Sequence, residues 1–319
     1  MDNPLQIINM AKNALYFLTP ASREDIIEFT LNHQMPDGGF AGRSGQSDIY
    51  YTFFGVQLLF ILQGSNIPAL TFEYISSIKN LEQLDIIHLT CFLRTRHILD
   101  RIKKAPQRPW PTHQTDSLLK RFISGNGGFC IDKNSAPGSI YASYLAHLTC
   151  KECNIELPLD PEKIIGCIDR YRSQDGSYAE VENMETGTLS VTCAAVILQY
   201  EIAGIIDDTA VAWIIERQAE TGGFFASKNA FLPDLVSTAA AVFCLAIVGQ
   251  NRSVNQTILD FVESLMQENG GFCGNRHDGT PDIEYTFYAL LAIGSFMFNP
   301  GQRKTGDQFI EEKTGVNIT

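Results

Sequence analysis

PDGGFAGRSGQSDIYYTFFGVQLLFIL, residues 36–62, holds in one stretch the two signals that decide the fold. Its first part is a glycine–glycine–aromatic loop. Its second part is a helix-length run that is apolar on nearly every side. The loop returns as GNGGF at 125–129, QDGSY at 174–178, ETGGF at 220–224 and ENGGF at 268–272. Its closing aromatics Phe129, Tyr178, Phe224 and Phe272 are 49, 46 and 48 residues apart. A fixed period of this size marks stacked supersecondary units. The apolar run returns as GSIYASYLAHLTC from Gly138, TGTLSVTCAAVIL from Thr186, DLVSTAAAVFCLAIVG from Asp234 and DIEYTFYALLAIG from Asp282. DIIHLTCFLRTRHIL from Asp85 fills the remaining gap with its glycine loop lost, which makes six units.

Between these runs lie amphipathic segments: SREDIIEFTLNHQ from Ser22, PEKIIGCIDRYRSQ from Pro161, DDTAVAWIIERQ from Asp207 and SVNQTILDFVESLMQ from Ser253. A helix that is apolar all round is buried on most sides, whereas an amphipathic one faces water along a stripe. Each unit therefore reads as an outer helix, a glycine turn that stops it, a loop and an inner helix. Six such pairs with the inner helices in a ring predict an all-α fold, an (α/α)6 toroid. The period runs almost end to end, so residues 1–299 are expected to form one domain and 300–319 a polar tail. Ser22 with Asp25 predicts a capped helix start, and Pro161 suits a first helical turn. The proline-rich stretch 103–117 reads as a long surface loop.

The formal net charge of −12 disfavours binding to nucleic acid or to an anionic membrane. No apolar run reaches the roughly 18 residues of a membrane span. The first helix lacks the charged leader and cleavage site of a secretory signal. Cys91, Cys193 and Cys244, three of the eight cysteines, sit inside apolar helical runs, where reduced cysteine acts as a small hydrophobe. A cytoplasmic protein with reduced thiols is expected. Cys150-x-x-Cys153 has no matching second pair, which makes it a weak metal signal.

The QxxDGGF-type loops followed by DxxYTF-type helices resemble the terpenoid cyclase and protein prenyltransferase alpha-alpha toroid superfamily over about residues 20–298. Units one and six come closest to the beta subunits of protein prenyltransferases. The resemblance implies an isoprenoid-handling enzyme. In those subunits a GGFxGR loop is followed by an aspartate, a cysteine two residues later and a tyrosine, and the next repeat supplies a histidine. Aspartate, cysteine and histidine bind zinc, while the loop arginine and the tyrosine contact the isoprenoid diphosphate. Here GGFAGR from Gly38 precedes Asp48, Tyr50 and Tyr51, and His88 follows Asp85 in unit two. GGFCGNRH from Gly270 precedes Asp282, Glu284 and Tyr285. The family's cysteine ligand is thus Tyr50 in one frame and Glu284 in the other. The DxDD run of protonation-initiated cyclases is absent.

The residues then sort by chemistry. Asp48, Asp85, Asp234 and Asp282 open inner helices one, two, five and six, which a ring makes neighbours. They read either as helix caps or as a cluster for metal binding or acid–base work. Asp48, Asp282 and Glu284 are the catalytic candidates. Asp48, Asp85 and His88 are the metal candidates, with zinc or magnesium as the ion. Tyr50, Tyr51, Phe54, Tyr141, Tyr144, Tyr285 and Tyr288 are expected to line an aromatic central cavity suited to an isoprenoid chain or another hydrophobic small molecule. Arg43, Arg276 and His277 are the candidates for a diphosphate, together with Lys228. Arg94, His97 and Arg101, at i, i+3 and i+7, offer a second basic face for an anion or for a second protein subunit. The expected function is prenyltransferase-like, with two alternatives: a single-domain cyclase protonating an alkene from Asp282 or Asp48, and a non-catalytic lipid- or partner-binding toroid.

Overall fold

The computed structural model describes residues 5–102, 110–133, 137–250 and 253–298. The expected tail at 300–319 and residues 103–109 of the expected loop lie outside the described residues. Helix α1 (Gln6–Lys12) precedes the repeats. Six outer–inner pairs follow: α2 (Pro20–Asn32) with α3 (Ile49–Gln63), α4 (Ala69–Ser77) with α5 (Ile86–Asp100), and α6 (Thr112–Lys120) with α7 (Ile140–Cys153). Then come α8 (Pro161–Arg170) with α9 (Leu189–Ala203), α10 (Asp208–Ile215) with α11 (Leu235–Ile247), and α12 (Thr257–Glu263) with α13 (Ile283–Phe296). The inner helices touch in the order α3, α5, α7, α9, α11, α13, and α13 touches α3 again, so the ring is closed. No described helix is long and apolar enough to cross a membrane.

The glycine loops are built alike. In the first, Gly38 N–H donates to the Met35 carbonyl at 2.9 Å and Met35 N–H donates to the Gly39 carbonyl at 2.8 Å, closing a miniature hairpin. Gly38 has φ of +92° and approaches the backbone of α4: a Cβ there would lie 2.1 Å from the Leu70 carbonyl oxygen. Only glycine meets both demands at low cost. The glycines do not cap the outer helices, as the sequence suggested. Helix α2 already ends at Asn32, with His33 as its C-cap in right-handed geometry.

The loop aromatic wedges between the layers. Phe40, Phe129, Tyr178, Phe224 and Phe272 are buried, and each backbone N–H is caught by a hydroxyl of the inner helix that follows. The acceptors are Thr52, Ser143, Thr192, Thr238 and Thr286, at 2.9–3.1 Å. A buried N–H left without a partner is costly, so this hydroxyl belongs to the repeat as much as the glycine does. Two of the loops also form short antiparallel ladders: β1 (Phe40–Ala41) with β2 (Ser47–Asp48), and β3 (Phe224–Phe225) with β4 (Pro233–Asp234).

Two expectations are corrected. The stretch 103–117 is not all loop, because α6 begins at Thr112, straight after Pro111, which cannot itself donate within a helix. The cap of α2 is Thr19, whose Oγ1 accepts the Ser22 N–H at 3.1 Å, and Pro20 takes the first helical position. Helix α1 stands outside the six pairs. It packs on α13 and α3 at their C-terminal ends and reaches across to α7, where Lys151 Nζ donates to Gln6 Oε1. It thereby closes the base of the ring. Its buried face is Ile7, Ile8, Met10 and Ala11.

Gly294 sets the fit of this plug, since a Cβ on it would lie 2.1 Å from the Met10 carbonyl oxygen and 3.0 Å from Ala11 Cα. Gly294→Ala is expected to push α1 outward and lower stability by about 1–3 kcal/mol, read as a lower urea midpoint at unchanged slope. An unshifted midpoint contradicts this account of the plug.

Candidate functional site

The parallel inner helices bring their N-termini to one mouth. Asp48, Asp85, Asp234 and Asp282 each cap one of them: Asp48 accepts the Tyr50 N–H at 2.6 Å, Asp85 the His88 N–H at 2.8 Å, Asp234 the Ser237 N–H at 2.8 Å and Asp282 the Glu284 N–H at 2.9 Å. Helices α5, α3, α13 and α11 are consecutive in the ring, so the four carboxylates share one arc as expected.

Within that arc the groups differ in charge preference. Burial pushes Asp282 up from the usual carboxylate range, against the pull of its own cap bond and of Arg43. Burial also pushes Asp234 and Glu284 up. Glu284 Oε1 accepts the Tyr50 hydroxyl at 2.6 Å, a bond from α3 to α13 that by itself favours the ionised form. Burial raises Tyr50 far out of the working range, so its phenol keeps its proton.

His88 stands between two carboxylates. Its Nδ1 lies 2.9 Å and 3.0 Å from the oxygens of Asp85, while its Nε2 lies 3.7 Å from Asp48 Oδ2. The two acids flank opposite edges of the imidazole, so the three expected ligands form a row and do not converge on one point. Among the described residues no group of three or more His, Cys, Asp or Glu is arranged to hold a metal ion. Tyr50 and Glu284, the two residues that the two frames set against the family's cysteine, bond each other: the Tyr50 hydroxyl donates to Glu284.

Arg43 reaches across the seam between units one and six. Its guanidinium bonds Asp278 at 2.5 Å and the Thr280 carbonyl at 2.6 Å, and lies 3.6 Å from Asp282. It also sits 5.3 Å from the centre of the Tyr285 ring. Burial opposes the charge on Asp278, but the bond and charge of Arg43 together with the Thr280 and Gly274 N–H groups outweigh it and hold the carboxyl below its ordinary value. Arg276 turns the other way: its Nε donates to Ser264 at 3.0 Å, beside the Phe261 ring of α12. His277 and Lys228 are exposed on their loops. The structure thus leaves Arg43 at the mouth and does not join it to Arg276.

Below the rim the aromatics of α3 meet those of its neighbour α13. Tyr50 packs edge-on against Tyr51 and Phe54, at 5.4 Å and 5.0 Å between ring centres. Phe54 packs against Phe287 and Tyr288 of α13 at 5.4 Å and 5.7 Å. Tyr141 and Tyr144 come from α7 on the far side. They lie close enough that Glu284 helps to raise Tyr141, after burial, to about 12, and that Tyr141 and Tyr144 help to raise Tyr288. The expected open cavity is therefore narrowed by tyrosines. Tyr50, Tyr141, Tyr144 and Tyr288 are nevertheless only half-buried. Two depressions lie away from this wall: one of about 380 Å³ beside Gln267 and Pro281, and one of about 30 Å³ between α5, α6 and α7 beside Trp110 and His97.

Deeper still, Arg94 is buried and forked onto Glu152 of α7 at 2.8 Å and 2.7 Å, with its guanidinium 4.4 Å from the Phe53 ring centre. Burial opposes its charge, but Glu152 outweighs this and keeps it firmly protonated. The basic face read from spacing does not form: Arg94 points into the core, while Arg101 bonds His97 at 3.1 Å. The eight cysteines are all free and buried, and burial lifts Cys150 and Cys153 to about 12. Glu180 was missed by sequence reasoning. It accepts the Tyr141 N–H at 2.8 Å and is raised by burial. Asp278, four residues before Asp282, was missed too.

A family model described as the prenyltransferase alpha-alpha toroid domain matches residues 5–97, 77–219 and 201–313. No curated protein matches the sequence. Among solved structures the chain is similar to an alpha-amylase from Clostridium perfringens, with TM-score 0.60, 12% identity and coverage of 88% of this chain and 99% of that one. It is also similar to a variant of the type II terpene cyclase MstE from Scytonema in complex with geranylgeranyl dihydroxybenzoate, with TM-score 0.54, 10% identity and coverage of 90% and 97%. Protein geranylgeranyltransferase-I from Candida albicans, complexed with GGPP, overlaps at TM-score 0.47 and 16% identity, over 92% of this chain and 84% of that one. At these identities the likeness is one of fold alone.

Proposed function

The chain belongs to the prenyltransferase alpha-alpha toroid family, and on that premise we propose that it binds an isoprenoid-type chain against the Tyr50–Phe54–Tyr288 wall and acts on it at the mouth of the ring. The observation that carries this reading is the Tyr50–Glu284 hydrogen bond at the top of that wall, with Glu284 raised by burial. A carboxylic acid kept neutral in an apolar setting is a proton donor. With Oε1 engaged by Tyr50, Oε2 is left to carry the proton. Transfer to an alkene makes one C–H bond and a tertiary cation, and leaves a carboxylate that the Tyr50 hydroxyl already solvates. Half-buried tyrosine faces steady the cation and exclude water. A guest enters by turning these side chains aside.

The prenyl-transfer reading needs a diphosphate site. Its support is Arg43 at the mouth, whose fork must exchange Asp278 for phosphate oxygens. Its weakness is that Arg276 is turned to the outer layer and the rim is acidic. The non-catalytic reading differs in that it needs neither Asp48 nor Asp282.

Incubation with geranylgeraniol and with geranylgeranyl diphosphate separates the three. The acid reading expects an isomerised or cyclised product with no pyrophosphate released. Release of pyrophosphate with the geranylgeranyl group passing to an added thiol peptide favours prenyl transfer. Binding without turnover, unchanged in the Asp48→Asn/Asp282→Asn double variant, favours a carrier. Binding of neither compound overturns the acid, transfer and lipid-carrier readings and favours a toroid that binds a protein partner.

A further inference from the structure

Gln57 is the most poorly served polar side chain inside the ring. It is 0% exposed, and neither its Nε2 nor its Oε1 has a hydrogen-bond partner. It lies on α3 three residues after Phe54 and seven after Tyr50, which places all three on one stripe of the helix. Exposure falls along that stripe, from half-buried Tyr50 through Phe54 at 5% to Gln57 at 0%. The two flanking inner helices carry orphans as well, Thr95 Oγ1 on α5 and Ser295 Oγ on α13, both 0% exposed. Buried polar groups in folded proteins nearly always have partners, so three orphans on three adjacent helices below one aromatic tier ask for a guest.

We propose that Gln57 is the polar anchor of the bound molecule and that the group it holds is a hydroxyl, which makes the ligand an isoprenoid alcohol. A primary amide presents donors and an acceptor side by side. A hydroxyl answers both, accepting from Nε2 and donating to Oε1. A diphosphate or carboxylate offers only acceptors and leaves Oε1 bare. An unfunctionalised hydrocarbon answers neither. At 1.5 Å of rise per residue, Gln57 lies about 10 Å below Tyr50 along α3. The alcohol end is therefore deep, over the base closed by α1, and the distal alkene is returned to the mouth beside Glu284. This assignment rests on the isoprenoid reading above and narrows its substrate class.

The test titrates the full chain with farnesol and with farnesene, which lacks the hydroxyl, by calorimetry. Wild-type protein is expected to prefer farnesol. Gln57→Leu and the unbranched Gln57→Met are each expected to weaken farnesol by about tenfold and to leave farnesene unchanged. The urea midpoint should hold or rise, since an orphaned amide has been removed. Farnesol binding untouched in both variants, or farnesol and farnesene weakened alike, overturns the anchor, as does a wild-type protein with no preference, while each leaves the isoprenoid reading standing. Wild-type protein that binds neither overturns both.

Discussion

Glu152→Ala is expected to destabilise the protein by about 3–5 kcal/mol, because it strands a buried charge. Arg94 and Glu152 are 4% and 3% exposed, and the guanidinium has no route to water once its carboxylate is gone. The guanidinium holds its proton under any ordinary condition, so it cannot escape by neutralising. The pair itself need not be strongly stabilising, because taking two ions out of water opposes the attraction between them. The double replacement Arg94→Met/Glu152→Leu is therefore expected to recover most of the loss. Urea midpoints of the single and double variants check this. A single variant within about 0.5 kcal/mol of wild type contradicts the burial of the pair.

The second large effect is on rate. Glu284→Gln is expected to lower turnover of the isoprenoid by about 10²–10⁴-fold with little change in binding, the range for loss of a general acid. Glutamine keeps an acceptor for Tyr50 but has no proton to give. The pH profile gives the sign. Burial raises Glu284, so it stays protonated above the ordinary glutamate range, and activity should fall as pH rises through that raised value. The Tyr50 bond pulls in the opposite direction, so Tyr50→Phe should move the falling limb to higher pH. The same raised value makes Glu284 favour the folded state at acid pH and lose that contribution as pH rises through it. Full turnover in Glu284→Gln removes it from the mechanism.

Much of the fold was legible because it is written locally. The glycine period needs only a turn of positive φ, and an all-apolar helix can only be an inner one. The aspartates that open the inner helices read either as caps or as a cluster, and each of them caps its helix. What was not legible depends on partners far along the chain. Spacing put Arg94, His97 and Arg101 on one face, but it could not say that Arg94 would meet Glu152, 58 residues away. Arg43 looked like a free loop cation, yet its partner Asp278 is 235 residues away. Helix α1 has an ordinary amphipathic pattern, and nothing in such a pattern says which surface it will cover. The hydroxyl beneath each loop aromatic was missed although it was readable. A Thr or Ser stands 12 or 14 residues after every one of those aromatics, hidden among apolar neighbours.

The seam between α13 and α3 governs the birth of the molecule. Tyr50 and Glu284 are 234 residues apart, so during synthesis the flank of α3 that carries Phe54 has no mate until the final unit has emerged. Entropy is not the obstacle, since the cost of joining chain ends grows only with the logarithm of the distance between them. Exposure is the obstacle, because an unsealed nascent arc shows greasy edges at both ends. Once α13 has emerged, the α3 and α13 edges of two unsealed chains match each other as they match within one chain. The last helix is thus the keystone that decides between one ring and an exchanged pair, and the cell's chaperones have the whole span of translation in which to keep those edges apart.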